Sequence, residues 1–127
     1  MLDTADTMTK ARPSVLIVED DPFIAIDLED AFLDAGYRVL GPCATVEDAL
    51  NTARSDRPDI ATLDFELVDS TSRRVAELLS ELDVPFVLVS SMRREAMDAP
   101  CFKDRECIAK PFDANTLVTR TRELVAA

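Results

Sequence analysis

Short apolar runs in this 127-residue chain stop repeatedly at residues able to do chemistry. Ser14-Val15-Leu16-Ile17-Val18 ends in Glu19-Asp20-Asp21, and Ile60-Ala61-Thr62-Leu63 ends in Asp64, with Glu66 two positions on. Val84 to Val89 ends in Ser90-Ser91, and Cys107-Ile108-Ala109 ends in Lys110. Three carboxylates gathered at one point repel by about 4 kcal/mol per pair at ~4 Å and an effective dielectric of ~20. Such a cluster requires cations. Lys110 supplies one charge, and hard oxygen donors at a partly open site suit Mg²⁺, which keeps several of its waters.

Whether these residues meet depends on the elements that carry them. The β-branched run from Ser14 to Val18 has the length and composition of a strand covered on both faces. Asp21 then caps a helix with Pro22 at its first position; Ile24, Leu28, Ala31, Phe32 and Ala35 form its inner side, and Gly36 stops it. A short strand from Tyr37 to Leu40 closes at Gly41-Pro42. Thr45-Val46-Glu47-Asp48 resembles a capping box and opens a helix through Arg54. After Pro58 comes the strand leading to Asp64. Ser70 or Thr71 caps the next helix, whose apolar face is Val75, Leu78, Leu79 and Leu82. Beyond the strand at Val84 to Val89, Met92 to Met97 makes at most one or two helical turns before Pro100, and Cys101 to Glu106 shows no clear period. A segment so poor in apolar anchors is expected to be mobile. Asp113 caps a last helix with Leu117, Val118, Leu124 and Val125 inward.

Strands alternating with helices predict an α/β fold, a doubly wound parallel five-stranded sheet of flavodoxin-like (βα)5 type. Its order is 2-1-3-4-5, with a shortened or irregular fourth helix. In that order the first and third strands are neighbours at the switch point, so the carboxyl ends of all strands open along one edge. Glu19, Asp20, Asp64, Ser90 and Lys110 are then expected together. Taken singly each has an ordinary explanation: a solvated turn, a loop cap, a satisfied hydroxyl, a surface charge. Their joint occurrence at successive strand ends is what favours a site.

Composition narrows the function. One domain spans residues 13–127, preceded by a flexible arm at 1–12. A net charge of −11 argues against nucleic acid as a direct partner. The chain has no His, and its three cysteines, Cys43, Cys101 and Cys107, lack metal-ligand spacing, so zinc and His-based catalysis are disfavoured. The acidic first residues do not form a signal peptide, and no apolar run is long enough to span a membrane. A cytoplasmic location is expected.

Leu16-Ile17-Val18-Glu19-Asp20-Asp21-Pro22, Pro58-Asp59-Ile60 leading to Leu63-Asp64, and Lys110-Pro111-Phe112 resemble, in order and separation, the motifs of bacterial two-component response regulator receiver domains. The resemblance covers Ser14 to about Val125. It implies that Asp64 is the phosphoacceptor, charged by a sensor histidine kinase or histidine phosphotransferase. Glu19, Asp20, Asp64 and the backbone carbonyl of Glu66 would hold Mg²⁺, Lys110 would pair with phosphoryl oxygens, and Ser90 would move to hydrogen-bond one of them. Such a domain catalyses only its own phosphorylation and dephosphorylation. The Val84 to Ser91 run is similar in part to a subgroup of stand-alone alphaproteobacterial receivers with Phe-Ala-Thr-Gly and an aromatic at this strand end.

The chain departs from the family in four places. Leu67 to Ser72 lacks the usual Pro and Gly and is shorter. Glu66 adds a carboxylate two residues past the acceptor, expected to face the metal. Cys107 occupies the position, three before the Lys, where the family usually carries a switching aromatic. The fourth helix is reduced. With the chain ending at its last helix, the expected output is contact with a downstream protein or withdrawal of phosphate from a kinase. Alternatives are a non-phosphorylated docking module that regulates a kinase and, with no Gly-rich phosphate loop to support it, a Mg²⁺-dependent phosphatase of small molecules.

Overall fold

A computed structural model describes residues 12–68, 70–91, 100–103 and 105–126. Its five strands are β1 (Ser14–Val18), β2 (Arg38–Cys43), β3 (Ile60–Asp64), β4 (Phe86–Ser90) and β5 (Glu106–Ala109). Its helices, among the described residues, are α1 (Pro22–Asp34), α2 (Val46–Ser55), α3 (Arg73–Glu81) and α4 (Ala114–Ala126), with a 3-10 turn at Pro100–Phe102. All strand pairs are parallel, in the order β2-β1-β3-β4-β5. The expected arm and the expected reduced fourth helix fall mainly on 1–11 and 92–99, outside the described residues; so does most of the segment expected to be mobile.

The period-two alternation of the strands divides the core between the two faces of the sheet. Val15, Ile17, Ile60, Val87 and Val89 pack with Leu28 and Phe32 of α1 and Leu117 of α4. Leu16, Val18, Ala61, Leu63, Phe86 and Leu88 point the other way, onto Leu50 of α2, Val75 and Leu79 of α3, and Phe102 of the 3-10 turn. β1, β3 and β4 are buried along their whole length, as strands covered by helices on both sides must be.

Several local expectations are confirmed. The Asp21 carboxylate accepts from the amides of Phe23 and Ile24 at the start of α1. Gly36, at φ +92°, ends that helix, with its amide donating to the Leu33 carbonyl and that of Tyr37 to Phe32. Thr45 Oγ1 accepts from the Asp48 amide. Asp113 caps the start of α4 through the Asn115 amide.

Others are corrected. The second strand does not close at Gly41-Pro42 but runs to Cys43: between the pairs Leu16–Leu40 and Val18–Cys43, β2 carries one residue more than β1, and this bulge at Gly41-Pro42 lets pairing resume past the kink. Gly41 makes this possible: at φ +91° a β-carbon there would lie 2.8 Å from the Cys43 amide nitrogen and 3.0 Å from the Ile17 carbonyl. The cap position of α3 is Ser72, whose side chain makes no capping hydrogen bond; Thr71, one of the two expected capping residues, accepts from the Arg73 amide at 3.5 Å. Val125 is exposed rather than inward, while Leu124 beside it packs against the core on the α1/α4 side.

Candidate functional site

The carboxyl ends of the strands meet as the topology requires. Glu19 directly follows β1, where its amide donates to the Cys43 carbonyl at 2.9 Å. Asp64 is the last residue of β3, and Lys110 follows β5, its amide held by the Ser90 carbonyl at 3.0 Å. The alternation that buries Val15 and Ile17 carries on to Glu19, and that of Ile60 and Thr62 carries on to Asp64. Lys110 follows Ile108 in the same way. All three therefore stand on the α1/α4 side of the sheet edge.

There they make direct contact. Lys110 Nζ donates to Asp64 Oδ2 at 2.9 Å and lies 3.7 Å from Glu19 Oε1. Glu19 and Asp64 are buried, and Asp20 is half-buried beside them. Each of these carboxylates offers an oxygen, and the three oxygens lie within 4.8 Å of one another. Glu19 Oε2 also accepts from the Asp21 amide at 3.1 Å, which fixes its carboxylate against the β1–α1 turn.

The electrostatics follow from this crowding. Burial first, then the charge and hydrogen bonding of Asp64, raise the Glu19 pKa from 4.5 to about 7 against the opposing Asp21 amide and Lys110. For Lys110, burial disfavours the charge, but the hydrogen bond to Asp64 and the charges of Asp64, Glu19 and Asp20 outweigh it, and its pKa is raised. With all three carboxylates ionised, the one ammonium leaves an excess of two negative charges. An all-oxygen donor set with that excess fits a divalent hard cation such as Mg²⁺.

The remaining expected residues divide. Ser90 ends β4, buried, one residue beyond the Asp64–Val89 register pair, at the same sheet edge. Its alternation follows Phe86 and Leu88, on the α2/α3 side. Cys107 lies on β5 opposite Leu88 and is half-buried against that same cluster. The structure does not bring the Glu66 carboxylate into the cluster: Glu66 is exposed and pairs with Thr71 in an isolated antiparallel bridge. That bridge, with the Leu67 amide on the Ser70 carbonyl, folds the short loop back on itself and directs the side chain outward.

Sequence reading missed Phe102. It is fully buried against Phe65, the neighbour of Asp64, with ring centroids 5.5 Å apart. A single aromatic in an aperiodic stretch carries no pattern that would mark it.

Comparisons with known proteins point the same way. A family model described as the response regulator receiver domain matches residues 15–122. The phyllosphere-induced regulator PhyR of Methylorubrum extorquens is 33% identical over 101 residues, 77% of this chain and 38% of PhyR. The chain thus spans well under half of that relative. The chemotaxis protein CheY of Thermotoga maritima is 28% identical over 108 residues, 82% of this chain and 90% of CheY. The solution structure of SdrG from Sphingomonas melonis Fr1 is similar with a TM-score of 0.75 at 32% identity, covering 92% of this chain and 98% of SdrG.

Proposed function

The chain belongs to the response regulator receiver domain family, and from that premise we propose that Asp64 accepts a phosphoryl group from a phosphohistidine in a Mg²⁺-dependent reaction. The observation that carries the reading is the partly buried contact of Lys110 Nζ with Asp64 Oδ2 at 2.9 Å, inside a cluster of three carboxylates. A lysine held this close to Asp64 stands where negative charge would gather during transfer to that carboxylate. When the phosphorus is attacked by an Asp64 oxygen, the phosphorus–nitrogen bond of the donor breaks and the imidazole takes its electron pair. Phosphoryl transfer depends mostly on positioning and on neutralising spread negative charge.

The chain's own groups suit those tasks. Glu19, Asp20, Asp64 and the backbone carbonyl of Glu66 would hold the ion, which supplies positive charge to the phosphoryl oxygens when bound. The Lys110 ammonium, released from Asp64, turns to a phosphoryl oxygen, and the Ser90 hydroxyl donates to another. The donor is a sensor histidine kinase or a histidine phosphotransferase. A protein donor is favoured by the apolar ground beside the site: Phe23 at the start of α1 is 81% exposed, and Ile24, Leu28 and Phe112 line a groove that reaches Lys110. The output is contact with a downstream protein or withdrawal of phosphate from the kinase.

Incubation with Mg²⁺ and acetyl phosphate tests the chemistry directly. The expected result is a mass gain of one phosphate that Asp64→Asn and EDTA both abolish. If no donor, small molecule or kinase, gives that gain, the domain is a docking module that works without phosphate.

A further inference from the structure

We propose that the state of Asp64 is relayed to the outer surface at α3 and the 3-10 turn through a chain of three aromatic rings, Phe65, Phe102 and Phe86. The inference rests on Asp64 being the phosphoacceptor and names how that site communicates.

The starting point is the alternation of β3. Asp64 stands on the α1/α4 side of the sheet, so the next residue, Phe65, emerges on the α2/α3 side. It is tied to the acceptor by a single peptide link, and its backbone is held on both sides. The Phe65 amide donates to the Val89 carbonyl at 2.8 Å, one residue before Ser90, and its carbonyl accepts from the Ser72 amide at 2.8 Å. A change in how Asp64 and Ser90 sit therefore acts directly on this residue.

The half-buried Phe65 ring meets Phe102 edge to face, at 5.5 Å and 74°. Phe102 is fully buried and meets Phe86 in turn, at 6.4 Å and 89°. The path then reaches the surface. The Arg105 guanidinium lies 4.4 Å over the Phe86 ring, and its Nη2 donates to Ser80 Oγ of α3 at 2.9 Å. Arg105 and Ser80 line a shallow open pocket with Glu77, Pro100, Cys101 and Lys103. Edge-to-face rings prefer definite geometries, so a displaced Phe65 favours a new seat for Phe102 over gradual deformation. Phe102 is the large side chain by which the 3-10 turn is anchored in the core, and moving it moves the turn. Cys107, half-buried in the same cluster, is too small to form a ring of this path.

The test is amide NMR on the full chain, adding Mg²⁺ and beryllofluoride as a stable phosphoryl mimic. In the wild type, shifts are expected at Asp64 and Lys110 and also at Phe102, Arg105 and Ser80. Phe65→Leu, at a half-buried position, is expected to keep the first set while reducing the second by more than about half. Phe102→Leu gives the same pattern, and Phe65→Leu carries the test if Phe102→Leu fails to fold. Shifts at Asp64 and Lys110 with none at Arg105 and Ser80, or distal shifts that persist unchanged in Phe65→Leu, overturn the relay. No shift at Asp64 or Lys110 overturns the phosphoacceptor reading on which it rests.

Discussion

Replacing Lys110 with Met should expose how strongly the carboxylate cluster works against folding. Lys110 Nζ lies 2.9 Å from Asp64 Oδ2 and 3.7 Å from Glu19 Oε1. At an effective dielectric of ~20 those distances correspond to attractions of about 6 and about 4.5 kcal/mol. Burying part of the ammonium and ordering its long stem offset much of this sum. What remains resembles the removal of one member of a buried ion pair, which leaves unpaired charge and costs about 3–5 kcal/mol. Lys110 keeps a 23% exposed side chain, so the expectation sits at the lower end, about 3 kcal/mol. The assay is urea unfolding of wild type and Lys110→Met in EDTA and in millimolar Mg²⁺. The variant should lose about 3 kcal/mol in EDTA and regain much of it with the ion, because a bound divalent cation stabilises by linkage the state that holds it. In an Asp64→Asn background the same substitution should cost at least about 1 kcal/mol less, since the partners are coupled. A loss below about 1 kcal/mol in EDTA, or an equal loss in both backgrounds, would refute the electrostatic account.

Three further outcomes are expected. In the Mg²⁺-free protein Glu19 titrates near 7 when folded, against an ordinary value of 4.5. Folding then takes up a proton between those values, so stability is gained as pH falls through about 7 and is fully present below 4.5; Glu19→Gln should flatten this rise in urea midpoints, and saturating Mg²⁺ should suppress it. Gly41→Ala should destabilise by about 1–3 kcal/mol in chemical denaturation, from positive-φ strain and the overlap with the Cys43 amide. Phe32→Ala, which removes a fully buried ring set edge to face on Tyr37, should cost about 3–5 kcal/mol, while the acetyl phosphate reaction of the folded fraction is unchanged.

The fold was legible because its signals are local and repeated. Runs such as Ser14 to Val18 and Val84 to Val89 announce two-sided burial, and Asp21, Gly36, Thr45 and Asp113 mark helix ends by side-chain or backbone chemistry that operates within a few residues. The site was legible for a different reason: in a parallel sheet every strand delivers its last residue to one edge, so reading the residue after each apolar run nearly lists the site. Errors arose where neighbours from distant sequence decide. Gly41-Pro42 looked like a stop, but it forms a bulge in β2 beyond which pairing with β1 resumes. Glu66 is a local case: its side chain is exposed and its backbone bridges to Thr71, five residues on.

The amino-acid order by itself determined the alternation of strands and helices, the identity of Glu19, Asp20, Asp64, Ser90 and Lys110 as strand-end residues, and the charge excess that calls for a divalent cation. These depend on periodicity and on topology common to all such sheets. Only the tertiary structure decided that Glu19, Asp64 and Lys110 contact one another on the α1/α4 side while Cys107 and Phe65 pack on the other. It alone joined Phe65 to Phe102, because edge-to-face packing between residues 37 positions apart leaves no trace in sequence spacing.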